Sequence, residues 1–283
     1  MKKPSIVMLI VVSLIAVAAN TAFAQRGGQG RGHGRGPGHG QGSAGCRNVL
    51  ADRFDGLPVE QLSDAERAAV LHIREEEKLA RDVYTTLGET WQLPVFDHIA
   101  AAEQRHMDHV ALLVTRYELD DPVADEAVGV FSDPELGALY TRLVADGQTS
   151  LEHALRVGAT IEDLDLADVQ AMLDSSDNRD IHLVAHNLAK GSRNHLRAFT
   201  VALDRQGFEP YTAQHLSQQQ VDTILAAEHE RRVVYDENGD AIGMAGGGRG
   251  PGHGQGHGRG PGAGPNGGGQ GHGAGRRCCD DRT

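Results

Sequence analysis

The chain has 283 residues, 39 Asp and Glu against 27 Lys and Arg, and 37 glycines, with a formal net charge of −12. Most of that charge sits in the middle: residues 47–244 hold 37 acids against 17 Lys and Arg. An acidic body with no basic face to track phosphates argues against a nucleic-acid binder.

From the N-terminus, residues 1–24 run Met-Lys-Lys, a long apolar stretch and an Ala-Phe-Ala ending at Ala24. Positive start, apolar run and small-residue cleavage pattern are those of a secretory signal peptide. The mature chain is expected to be periplasmic or secreted, with no membrane association once the signal is cleaved. Residues 25–46 and 245–283 are rich in Gly, Arg and His. Such chain lacks the apolar surface to offset the entropy of ordering, so both are expected to be disordered tails. Their partners are not legible, and their histidines could chelate metal only loosely. Cys46, Cys278 and Cys279 all lie outside the helical body; without Cys-x-x-Cys spacing they do not suggest structural zinc.

The body, 47–244, reads as helical. Ser63 and Glu66 form a capping box opening a helix over about 64–88, where Gly88 suits the end. Pro94 opens a second helix reaching about 118. After a linker, a short helix is expected over 134–146. A third long helix starts after Thr149 or Ser150, with Gly158 admitting a break, and a fourth ends before Gly207. A short helix follows near 217–228. The chain around Asn238-Gly239 then signals a hairpin, with its Asp236–Gly243 stretch read as a turn rather than a calcium loop. Short turns flanking one long connection match an all-α four-helix bundle with one long crossover.

The inward faces carry acids and imidazoles. Glu77 shares a stripe with Val70, Ile73, Ala80 and Tyr84, while Glu103 and His106 lie three apart among Ile99, Ala102 and Val110. Glu162 and Asp165 sit among the leucines of the third long helix, and His195 lies beside Leu196 and Phe199 in the fourth. Glu from two helices and Glu-x-x-His from two others is how dinuclear sites are built in bundle cores. Here the second Glu-x-x-His has Ser192 in place of Glu; either Asp165 supplies the missing carboxylate from the neighbouring helix, or one metal is held more weakly. Glu76, about 100° from Glu77, can share the boundary of that face; with Glu75 it reads mainly as a solvated acidic surface. Tyr84 reads as core, with a hydrogen bond to a ligand carboxylate as the minority alternative. His98 and His109 read as surface or helix-boundary residues, and His182 with His186 as exposed.

The stretch EKLARDVY (77–84) resembles the Glu-x-x-Ala-Arg-x-x-Tyr of rubrerythrin-type first helices, and EQRHMDHV (103–110) resembles their second-helix Glu-x-x-His. Together with PVFDHIAAAEQRHMDHV, GVFSDPELGALY and GSRNHLRAF, the region 65–225 is similar to an uncharacterised family of bacterial and archaeal ferritin-like proteins. The resemblance implies a ferritin-like fold and a dinuclear metal site, iron or alternatively manganese. Its ligands would be Glu77, Glu103 and His106, then Glu162 and His195, with Asp165 and Glu76 as lesser candidates. It implies no substrate. The four-cysteine, rubredoxin-like module that rubrerythrins carry has no counterpart here, so oxidoreductase activity toward O2 or peroxide is expected only with an outside donor. The reading from a different class is a non-catalytic metal-binding or structural module acting through its Gly/Arg/His-rich tails. A homodimer is the default assembly.

Overall fold

A computed structural model describes residues 49–244. The expected signal segment, both Gly-rich tails and the three cysteines lie outside the described residues. The described chain is helical apart from one small hairpin: α1 (Val49–Asp55), α2 (Asp64–Trp91), α3 (Pro94–Arg116), α4 (Pro134–Gly147), α5 (Leu151–Ser175), α6 (Arg179–Arg205), α7 (Gln218–Ala226), β1 (Val233–Tyr235) and β2 (Ala241–Met244).

Four long helices dominate. Two residues join α2 to α3 and three join α5 to α6, so each pair folds back on itself. Contacts of α2 with α5 and of α3 with α6 close a ring of four, and α4, on the long connection, packs against α2 and α5. None of the described helices is long and apolar enough to cross a membrane.

Helix ends follow local chemistry with two exceptions. The capping box is present: Ser63 Oγ accepts from the Glu66 amide, and the Glu66 carboxylate accepts from the Ser63 amide at 2.8 Å. The other Glu66 oxygen accepts from Ser176 Oγ and Asn178 Nδ2, tying the start of α2 to the α5–α6 turn. Gly88, however, does not end α2. A Cβ there would meet Asp97 Oδ1 at 2.9 Å and Phe96 Cβ at 3.3 Å, so this glycine serves the close approach of α3, and Gln92 takes the left-handed cap at φ 51°. Gly158 does not break α5 either. A Cβ there would lie 2.4 Å from the Phe199 ring, so its bare backbone lets α6 approach. The short α1 has no counterpart among the sequence-based expectations.

The polar face of α2 also departs from expectation. Glu75 and Glu76 are buried, at 5 % and 2 % exposure, not solvated. Glu75 accepts from the amides of Ser132 (2.6 Å) and Asp133 (3.2 Å), capturing the start of α4. Lys78, wholly buried, donates to Asp82 Oδ2 (2.5 Å) and to the Ala127 carbonyl (2.8 Å), and lies 4.5 Å from the centre of the Phe131 ring. Asp82 also accepts from the Gly129 amide and from Arg81. About two turns of α2 thus supply the hydrogen bonds that the irregular crossover cannot make for itself.

The hairpin turns at Gly239 (φ 79°), with Asp236 accepting from the amides of Asn238 and Asp240. Asn187 of α6 pairs both ways with the Tyr235 backbone, and Glu237 binds Arg53 and Arg179 at 2.6–2.8 Å. α1, α6 and the hairpin are fastened at one carboxylate.

Lys78→Met leaves the buried Asp82 with Arg81 as its one cation beside the Gly129 amide and should cost about 3 kcal/mol, read by chemical denaturation; a loss below about 0.5 kcal/mol would contradict the clamp. The Arg53 guanidinium, with Arg179, holds the Glu237 carboxyl down to about 2 from 4.5. A depressed carboxyl stabilises above its unfolded value and loses that contribution as pH falls. Hydrogen-exchange protection of the Tyr235 amide should therefore fall as pH drops from 4.5 toward about 2, with the Glu237→Gln variant lacking that dependence.

Candidate metal centre

Near the middle of the four long helices the apolar core is interrupted. Glu77 comes from α2, Glu103 and His106 from α3, Glu162 and Asp165 from α5, and Ser192 and His195 from α6. All seven are buried, none above 7 % exposed.

Glu103 is the centre of the group. Its Oε2 lies 2.7 Å from His106 Nδ1 and its Oε1 lies 2.8 Å from His195 Nδ1. Each imidazole faces a further carboxylate through the same nitrogen: His106 meets Glu77 Oε2 at 3.1 Å, and His195 meets Glu162 Oε2 at 3.4 Å. The rings stack with centroids 5.3 Å apart. The order Glu77–His106–Glu103–His195–Glu162 is nearly symmetric about Glu103.

Surrounding residues fix these side chains. Tyr84 donates to Glu162 Oε1 at 2.5 Å, with the Gly158 carbonyl at 3.3 Å, and its ring packs on Phe199. Its minority reading as a hydrogen-bond partner of a candidate ligand therefore matches the geometry. Ser192 donates to Asp165 Oδ2, with the Leu188 carbonyl 3.1 Å from the same hydroxyl. The residue that departs from the Glu-x-x-His pattern thus holds a carboxylate from α5 in its place. Gly191 makes room for His106: a Cβ there would stand 2.2 Å from Nε2.

Burial would raise the Glu103 carboxyl, but the positive imidazoles of His195 and His106 outweigh it and hold it well below the usual range. Burial opposes protonation of His195, yet Glu103 and Glu162 raise it to about 9; His106 is raised likewise by Glu77 and Glu103. Burial, with Glu103 repelling, lifts Glu162 to about 7, and burial lifts Asp165 to about 6 against the hydrogen bond from Ser192. Glu77 is also raised, by burial first and then by Asp165 and Glu103. One cluster therefore holds more carboxylates than its two imidazoles can neutralise.

That excess leaves a mark. Six buried side-chain atoms among the described residues lack a hydrogen-bond partner; four belong to this cluster, Glu77 Oε1, Glu103 Oε1, Asp165 Oδ1 and His195 Nδ1, and a fifth, Glu76 Oε2, lies outside it on α2. Glu103 Oε1 and His195 Nδ1 are close but misaligned for a hydrogen bond. Each such orphan costs about 1–3 kcal/mol, and buried polar atoms are ordinarily paired. Chemically, carboxylates with imidazoles suit iron, manganese or zinc. One ligand atom from each of Glu103, His106 and His195 lies within 4.8 Å of the other two, so the donor set fits a cation at Glu103.

The residues expected from sequence divide clearly. Glu77, Glu103, His106, Glu162 and His195 are brought together, and Asp165 joins them through Ser192. Glu76 instead turns its orphaned Oε2 toward His72. His98 is exposed, and His109 is half-buried, its imidazole held down to about 4 by burial and by His106. His182 and His186 are half-buried rather than exposed, stacked edge to face with centroids 6.0 Å apart. Asp168 and His72 were not anticipated, although the four-residue spacing of His72 and Glu76 was readable.

The profile of an uncharacterized protein domain, DUF2202, matches residues 66–228. An uncharacterized protein of Methanocaldococcus jannaschii, MJ0754, is 45 % identical over 182 residues, which is 64 % of this chain and 98 % of that one. The crystal structure of this hypothetical protein aligns with a TM-score of 0.60 at 46 % identity, covering 62 % of this chain and 99 % of that one. The matched region contains α3 through α7, nearly all of α2 and every residue of the cluster.

Gly191→Ala should push His106 off Glu103, lowering stability by about 1–3 kcal/mol and shifting the His106 ring resonances in a histidine-detected NMR spectrum. An unmoved His106 signal would contradict the packing described.

Proposed function

The chain belongs to the DUF2202 family, and we propose that it is a ferritin-like four-helix-bundle protein whose core holds a dinuclear metal centre, most simply iron with manganese as the alternative. The observation that supports this best is the set of orphaned ligand atoms, Glu77 Oε1, Glu103 Oε1, Asp165 Oδ1 and His195 Nδ1, gathered inside an otherwise apolar core. A cluster built only to hold helices together would close its hydrogen bonds.

Glu77 and His106 would hold one ion, Glu162 and His195 the other, and Glu103 would span both. Asp165, oriented by Ser192, supplies the carboxylate missing from the fourth long helix. A dinuclear iron centre supplies redox chemistry toward O2 or peroxide. Around it, the chain's own residues do three things. Tyr84 orients Glu162 through its hydroxyl. Phe199, Phe96 and the flanking leucines exclude water, which strengthens every charge interaction inside. His106 and His195, neutral when acting as ligands, must release the protons they carry between the carboxylates, so metal uptake should release protons. The sequence of residues 1–24 supports a periplasmic or secreted location, and the electron donor would be a separate molecule.

The second reading, a non-catalytic module, draws on one observation. Two positive imidazoles around an ionised Glu103 form a charge-paired chain that can hold α3 and α6 together without metal.

The two separate on metal content. Purified protein supplied with iron should carry about two equivalents in the core, lost in a Glu103→Ala/His106→Ala variant that keeps its helical circular dichroism. A wild-type body that stays folded and takes up no iron beyond that of the variant would establish the structural reading.

A further inference from the structure

A second group of ligand-type atoms converges where α2 meets α5, outside the cluster around Glu103. His72 and Glu76 are four residues apart on α2, so they share a face one turn apart. Asp168 lies one turn beyond Asp165 on α5. One ligand atom from each of His72, Glu76 and Asp168 falls within 4.8 Å of the other two. The pair His72 Nε2 and Glu76 Oε2 stands 3.8 Å apart, too far for a hydrogen bond and suited to an atom held between them.

Glu76 provides the independent sign of a ligand. It is 2 % exposed, yet its Oε2, the atom that faces His72, receives no N–H or O–H donor, and the side chain it approaches on α5 is a second carboxylate, Asp168. An unpaired carboxylate oxygen in the interior is costly, more so with a second carboxylate beside it. The rest of α2 shows that this helix can satisfy buried acids: Glu75 is closed by two crossover amides and Asp82 by Lys78. Within that run only Glu76 and Glu77 keep an unpaired oxygen, and Glu77 turns into the buried cluster whereas Glu76 faces His72. His72 and Asp168 are only half-buried, so the group opens toward solvent on one side.

We propose that His72, Glu76 and Asp168 form a separate mononuclear site for a divalent first-row cation such as manganese, iron, cobalt or zinc. One imidazole with two carboxylates favours these ions over magnesium and calcium, which prefer all-oxygen shells, and over copper(I), which prefers sulfur. Three protein ligands and an open side leave room for water or an exchanging ligand. The two acids balance the charge of the ion. Glu76, which from sequence stood as a lesser ligand of the buried centre, belongs to this site. The site shares no ligand with the buried centre and stands independently of the function proposed for it.

Cobalt(II) is the probe, titrated into the chelator-stripped full chain and followed by its visible absorption and by calorimetry. Wild type is compared with His72→Asn/Asp168→Asn, with Glu76→Gln, and with Glu103→Ala/His106→Ala. The tail histidines are present in all four and cancel in the comparison. The first two variants should each lose about one cobalt equivalent, and the third should keep the equivalent those two lack. His72 and Asp168 are half-buried, so their replacement spares the core, and Glu76→Gln keeps the shape should the double variant fold poorly. Uptake by both variants equal to wild type in number and affinity would overturn the proposal. Loss of that equivalent in Glu103→Ala/His106→Ala as well would also overturn it, because the site would then not be separate. If that variant keeps every equivalent while the His72 and Glu76 variants lose one, the buried centre fails and this site stands.

Discussion

Everything in the core is arranged around one buried carboxylate shared by two imidazoles. Glu103 can remain ionised away from water only because His106 and His195 approach it from α3 and α6, one on each oxygen. Removing either imidazole would leave a charge in a medium that cannot solvate it, a loss of several kcal/mol. The pairing therefore constrains where α6 lies against α3, and Gly191, bare at the closest approach, is the backbone's concession to it. Glu77 and Glu162 then extend the constraint to α2 and α5. All four long helices are registered by one polar chain, while the surrounding leucines, valines and phenylalanines provide the bulk of the burial.

Along α2 a single helix serves three purposes because its side chains leave in different directions. Glu77 turns to the centre of the core, Glu75 and Lys78 turn to the crossover, and Glu76 turns with His72 toward α5. A run of consecutive charged residues, Arg74 to Lys78, is buried throughout, at 5 % exposure or less. Each has a different solution for its charge: Arg74 reaches Asp121 and the Met107 carbonyl, Glu75 takes amides, and Lys78 takes Asp82. The two that lack a full set of protein partners, Glu76 and Glu77, are those proposed as cation ligands.

The legibility of this arrangement from sequence varied with how local the cause was. Both ends of α3, the start of α5, the end of α6 and the hairpin at Gly239 follow from caps and turn residues acting within a few positions, and they matched to within two residues or so. Glu103, His106 and Glu77 stood out because helical spacing alone places them on apolar stripes. Gly88 and Gly158 misled for a shared reason. A glycine in a helix reads as a stop, whereas both exist to admit a neighbouring helix, a fact that only packing reveals. Glu75 read as solvated because the segment that covers it, Ser132 and Asp133, lies 57 and 58 residues away. Asp168 offered nothing in sequence, since its partners are on another helix. Ser192 was readable as a departure, and its hydrogen bond to Asp165 gives that departure a structural counterpart.

Anomalous diffraction at the iron edge, from crystals of the protein grown with ferrous iron, tests the central claim most directly. Two iron peaks are predicted between α2, α3, α5 and α6, about 3.5–4 Å apart, with Glu103 between them and Glu77, His106, Glu162 and His195 at their outer sides. A well-ordered core with no iron peak, in which His106 and His195 remain paired to Glu103, would contradict it.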